Sequence, residues 1–106
     1  MNLGELFKQA KDIQAKTQAL QEQIATIEVE GVSGAGLVHV TLNGKGELRR
    51  VLLDPSLIKP DEATTIQDLI VAAHADAKAK LERRMAEEMQ KIAGSLGLPP
   101  GLGLTT

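Results

Sequence analysis

Leu3, Leu6, Ala10, Ile13, Thr17, Leu20, Ile24 and Ile27 recur at alternating steps of three and four residues, a heptad seam sustained for nearly four repeats. On a straight helix a seven-residue stripe drifts around the surface, so a strict heptad implies that the facing surface is itself a helix crossing at a shallow angle. The positions off the seam are mostly Gln, Lys, Ala and Glu, all good helix formers, and the pattern predicts one helix from Asn2 to Ile27. Such a helix needs a helical partner, within the chain or in a second copy. We expect it to pack partly on a second helix of its own chain and partly across a two-fold axis.

The pattern changes after Ile27. Alternating β-branched and polar residues predict a short strand at Glu28 to Val32, and glycines at 34 and 36 a turn. A second strand is predicted at Leu37 to Leu42, with Val38, Val40 and Leu42 on one face. Asn43-Gly44-Lys45-Gly46 closes a hairpin, because tight turns need backbone conformations that Asn and Gly tolerate. The third strand, Glu47 to Leu53, places Arg49, Val51 and Leu53 on one face and Leu48, Arg50 and Leu52 on the other. Apolar residues on both faces make the Leu48 and Leu52 side a candidate subunit contact.

Asp54-Pro55-Ser56 breaks the sheet, and Pro60, Asp61, Thr64 and Thr65 are start signals for a second long helix ending near Gly94. Its inner stripe reads Ile66, Ile70, Ala73, Ala77, Leu81, Met85 and Ile92. At about 30 residues and 1.5 Å each it spans roughly 45 Å, too long to lie wholly on three short strands. Part of it must project or pair with another helix. We read residues 1–94 as one α-β-β-β-α domain of the α+β class, and 95–106, rich in Gly, Pro and Leu, as a flexible tail.

Composition narrows the function. Phe7 is the only aromatic residue, which argues against base stacking and against an aromatic-anchored pocket. Without cysteine there is no disulfide, thiolate metal site or thiol nucleophile. No stretch approaches a membrane span, and Met1 to Lys11 lacks the basic-then-apolar pattern of an export signal, so the expectation is a cytoplasmic protein without membrane contact. His39 and His74 stand alone, no serine has a local base, and the glycines at 34 and 36 precede a strand rather than the helix that phosphate cradling requires. We expect no enzyme, cofactor or metal.

With 12 basic and 14 acidic residues, any affinity for polyanions must come from local segregation of charge. The candidates are Lys8, Lys11 and Lys16 on the first helix and Lys78, Lys80, Arg83 and Arg84 on the second, where four cations face a single acid, Glu82. A plain solvated face is the competing reading, since Asp12 precedes Lys16 by four and Glu87 and Glu88 follow the arginines. These cations also point in several directions, so one chain presents a ragged stripe that a dimer could align.

From Gly31 to Leu57 the sequence GVSGAGLVHVTLNGKGELRRVLLDPSL resembles the central signature of the YbaB/EbfC family of bacterial nucleoid-associated proteins. Phe7-Lys8-Gln9-Ala10, Asp68 to Ala73 and Leu98-Pro99-Pro100-Gly101 resemble the family's opening, second-helix start and tail. The resemblance implies a helix, three-strand, helix fold in a tweezer-like homodimer that binds duplex DNA through its helices, organises the nucleoid and influences gene expression. It points to the seven cations named above as DNA contacts, chosen by charge because the family carries no invariant DNA-reading motif. For the dimer interface we expect Leu48, Leu52, Leu20 and Ile24. Two alternatives stand beside it: a coiled-coil adaptor or prefoldin-like chaperone, and a protein-contact accessory factor of replication or recombination.

Overall fold

A helix, a three-stranded antiparallel sheet and a second, longer helix follow one another in the computed structural model, which describes residues 2–95: α1 Leu3–Thr26, β1 Glu28–Ser33, β2 Val38–Asn43, β3 Leu48–Leu53 and α2 Ala63–Ser95. This is the α+β architecture expected, with strand order β1-β2-β3. The tail reading for residues 96–106 lies outside the described residues.

Local chemistry sets the boundaries. Asn2 caps α1 by accepting the Gly4 N–H at 2.9 Å, and Glu5 adds negative charge to the first turn. The hairpin is organised by Asn43, whose buried side-chain oxygen accepts the N–H groups of Lys45 and Glu47, each at 3.0 Å, while Gly46 rather than Gly44 takes the left-handed φ of +81°. Asp54 ends the sheet by accepting the Ser56 N–H at 2.9 Å, and its hydrogen bonds to Ser56 hold its carboxyl below the usual range. Two short 3-10 turns, at Pro55–Leu57 and Pro60–Glu62, then lead into α2.

The core lies between the sheet and the first half of α2. Val38, Val40 and Leu42 line the inner face of β2 and are buried with Ala73, Ala77 and Leu57, while Ile66, Leu69, Ile70 and Leu81 close the flanks. Small residues make this possible. α2 crosses β1 so closely that a Cβ on Gly31 would lie 2.1 Å from the Ala73 carbonyl oxygen and 2.3 Å from the Ala77 nitrogen.

The predicted inner stripe of α2 divides between two partners. Ile66 to Leu81 face the sheet, whereas Met85, Met89 and Ile92 line a groove with Leu20, Gln23 and Ile24 of α1 and with Ile27 just beyond its end. The surplus length of α2 therefore runs beside the end of α1, and the C-terminal part of the heptad seam lines an open groove with it rather than a closed helix pair. The rest lies outside that groove. No residue of α1 is buried, and Leu3, Leu6 and Ile13 are exposed, so the N-terminal part of α1 forms an arm of a molecule 71 × 27 × 15 Å in extent.

One strand departs from the expected alternation. Thr41 pairs with Arg50 but Leu42 pairs with Leu48, so Arg49 is an extra residue in β3, a bulge. Beyond a bulge the side chains change sides. Leu48 therefore joins Val51 and Leu53 on the face turned towards α2, and Leu52 stays with Arg50 on the outer face. The shared Leu48 and Leu52 face is corrected accordingly: the two leucines stand on opposite sides of the sheet.

Candidate nucleic-acid interface

The seven candidate cations occupy three places. Lys8, Lys11 and Lys16 lie exposed along the α1 arm and have no ion-pair partner among the described residues. Lys78 stands on the flank of α2 nearer the hairpin, beside Leu42, Gly46, His74 and Glu82. Lys80, Arg83 and Arg84 share a shallow concave patch with Glu87 on another side of the helix. The fold thus gathers three of the seven and separates the rest, in keeping with the ragged stripe the sequence predicts.

Within that patch the three cations are not equivalent. Arg84 Nε donates to Glu88 Oε1 at 3.0 Å, and Lys91 approaches the same oxygen at 3.4 Å. Their hydrogen bonds, that of Arg84 first, hold the Glu88 carboxyl below its ordinary range. Lys80 Nζ donates to the Glu30 carbonyl oxygen at 2.9 Å and lies 3.0 Å from Asp76 Oδ2. Asp76 in turn accepts the Val32 N–H at 2.9 Å; that bond, then Lys80, lowers its carboxyl pKa. Arg83 makes no ion pair among the described residues, which leaves it, with Lys78 and the α1 lysines, free to meet an external anion.

The Asp76 clasp is a feature that sequence reasoning missed. Asp76 and Lys80 are visible as a helical i, i+4 pair, but their targets lie 44 and 50 residues away on β1. Nothing in the local pattern names those targets.

The expected interface residues are also distributed. Leu20 and Ile24 are half-buried against Met85, Met89 and Ile92 of their own chain. Leu48, 56% exposed, lines an open groove of about 220 Å³ with Val40, Val51, Ile70, Val71 and His74, because α2 lies over β1 and β2 and leaves the inner face of β3 uncovered. Val71, at 70% exposure, is the most open apolar residue of its rim. Leu52 sits on the outer face, where His39 separates it from Val32 and the other neighbours are polar: Arg50 bonds Glu28 at 3.3 Å, and His39 places Nδ1 2.8 Å from Glu30 Oε1 and Nε2 3.1 Å from the Gly36 carbonyl oxygen. Among the described residues there is no group of three His, Cys, Asp or Glu able to hold a metal, and no helix long and apolar enough to cross a membrane.

Comparison with known proteins places this arrangement. The model of the YbaB/EbfC DNA-binding family matches residues 1–96. A nucleoid-associated protein of Granulibacter bethesdensis is 55% identical over 103 residues, covering 97% of this chain and 96% of the relative. One from Rhodopseudomonas palustris is 56% identical over 99 residues, covering 93% of each. The crystal structure of an uncharacterized Helicobacter pylori protein superposes with a TM-score of 0.63 at 25% identity, covering 87% of this chain and 97% of that one.

Proposed function

The chain belongs to the YbaB/EbfC DNA-binding family, and on that premise we propose a nucleoid-associated protein that grips duplex DNA as a homodimer. It works in the bacterial cytoplasm through phosphate contacts of low sequence specificity, and influences gene expression by occupying the nucleoid. The family match over residues 1–96 is the observation that carries this reading. The same membership marks the chain as a DNA-binding protein rather than an enzyme, and displaces the prefoldin-like alternative.

The electrostatics support backbone gripping. A net charge of −2 gives no long-range pull towards DNA, so binding rests on cations that are not neutralised internally. Lys8, Lys11, Lys16, Lys78 and Arg83 meet that condition, with Arg84 shared with Glu88. Each phosphate neutralised releases condensed counterions, which makes affinity fall steeply with salt. Among the described residues no Asn, Gln and Arg cluster presents a base-reading edge, so discrimination between sequences is modest.

The groove beside β3 supports a second copy as its occupant. It is apolar, and Lys78 and Glu82 stand one turn apart beside it, a pair that a two-fold axis can match with its own opposite charges. A replication or recombination protein seated there instead leaves the free chain monomeric. The function itself is tested by gel-shift titration on unrelated duplexes at several salt concentrations. Similar affinities for all duplexes and a steep negative salt slope are expected; no binding at low ionic strength overturns the reading.

A further inference from the structure

Both edges of a three-stranded sheet are templates for another strand, and the two edges of this sheet differ. β3 is exposed along nearly its whole length. β1 is not open in the same way. Its Glu30 carbonyl oxygen accepts Lys80 Nζ at 2.9 Å and its Val32 N–H donates to Asp76 Oδ2 at 2.9 Å. One residue further on, the Ser33 hydroxyl donates to the Leu69 carbonyl oxygen at 2.5 Å. The two backbone groups taken by Asp76 and Lys80 flank Gly31, where α2 makes its closest approach. A carbonyl at residue i−1 and an N–H at residue i+1 are the pair that one residue of a neighbouring parallel strand would engage.

We propose that Asp76 and Lys80 form a strand cap: their carboxylate and ammonium stand in for the C=O and N–H of an absent neighbour, closing β1 to pairing with another chain, and Lys80 makes no phosphate contact. Helix geometry suits them to it. At a spacing of four they lie on one flank of α2, next to the Ala73 and Ala77 surface that rests on Gly31. The 3.0 Å contact between them closes a ring of bonds through the β1 backbone. With β1 closed, the sheet can grow only through β3, and growth through a single edge ends at two copies, whereas two open edges permit an unending stack. The cap therefore specifies a closed assembly. It also removes Lys80 from the cations that meet DNA, so this part of the inference rests on the DNA-binding reading while the assembly part does not.

Lys80→Met keeps the side-chain stem and deletes the donor and the charge. Light scattering at matched concentrations is expected to give Lys80→Met a weight-average mass at least twice that of the unaltered protein, with helical circular dichroism retained. Lys80→Arg, which keeps a donor, is expected to restore the original mass. On DNA, with the slope of log affinity against log salt taken per bound chain so that assembly size does not enter, Lys80→Met is expected to keep it, whereas Arg83→Gln lowers its magnitude by about 0.9 per chain, the value of one phosphate and about twice that for a dimer, with no change of mass. An unaltered mass for Lys80→Met overturns the cap, and a slope lowered by about one unit per chain makes Lys80 a phosphate contact. If Lys80→Met fails to fold, an enlarged mass for Asp76→Leu supports the cap and an unchanged one overturns it. If the unaltered protein binds no DNA, the functional reading fails and the mass comparison still decides the cap.

Discussion

Gly31 carries more of the architecture than any apolar side chain of β1. Its missing Cβ lets the backbone of α2 come within van der Waals distance of the strand, and Ala73 and Ala77, both fully buried, complete the approach from the helix side. A methyl group at this position meets backbone atoms, the Ala73 oxygen at 2.1 Å and the Ala77 nitrogen at 2.3 Å, which cannot rotate away as a side chain can. The helix must lift, and with it the Asp76 and Lys80 bonds to β1. Overpacking costs about 1–3 kcal/mol where side chains can adjust, so Gly31→Ala belongs at or above about 3 kcal/mol, read as a lower urea midpoint. A loss below about 1 kcal/mol contradicts the close crossing. The sequence shows Gly31 only as one of several glycines near a turn. That it faces Ala73 and Ala77 depends on a packing partner more than 40 positions away.

Elements were legible where their signals are local and obscure where they depend on a partner. Asn2, the seam, the Asn43 hairpin and Pro55 mark the ends of α1, β2, β3 and the link to α2 to within a residue or two, since caps and turns are satisfied by their own neighbours. The bulge at Arg49 is invisible to a strict period of two along β3. Leu48 and Val51, apolar residues three apart, were the available sign that one residue was extra. The contact of α2 with β1 offers a pH test. Val32 and Lys80 donate to Asp76, and Arg83 adds positive charge, so the folded carboxyl titrates below its ordinary value near 4. A depressed folded pKa stabilises the protein fully above the unfolded value and ceases to do so as pH falls through the folded one. Thermal midpoints of the unaltered protein and Asp76→Asn are therefore expected to differ at pH 6 and to converge below about pH 4. A gap constant down to pH 2 shows that the charge of Asp76 contributes nothing to this docking.

At the scale of the molecule, an acidic chain must bind an acidic polymer, and the free cations of its helices are few and divided among the α1 arm and two sides of α2. The proposed two-fold axis would double them without adding contacts of a new kind, and two tethered sites would gain from effective concentration. The groove of Val40, Leu48, Val51, Ile70 and Val71 is where the chain leaves apolar surface available for that axis. Placing a carboxylate there sets the cost of desolvating a charge against assembly, while Val71, already 70% exposed, can change with little effect on the monomer's own core. Val71→Asp is therefore expected to reduce the light-scattering mass from twice the 11.3 kDa chain to a single chain, with its circular dichroism unchanged. Because each chain then meets DNA with its own cations alone, the salt slope should fall to about half and affinity by more than tenfold. A Val71→Asp protein that remains a dimer moves the two-fold axis away from this groove. The exposed Leu3, Leu6 and Ile13 of the α1 seam then become the surface that a second copy covers, and the same carboxylate at position 13 is the variant that should divide the dimer.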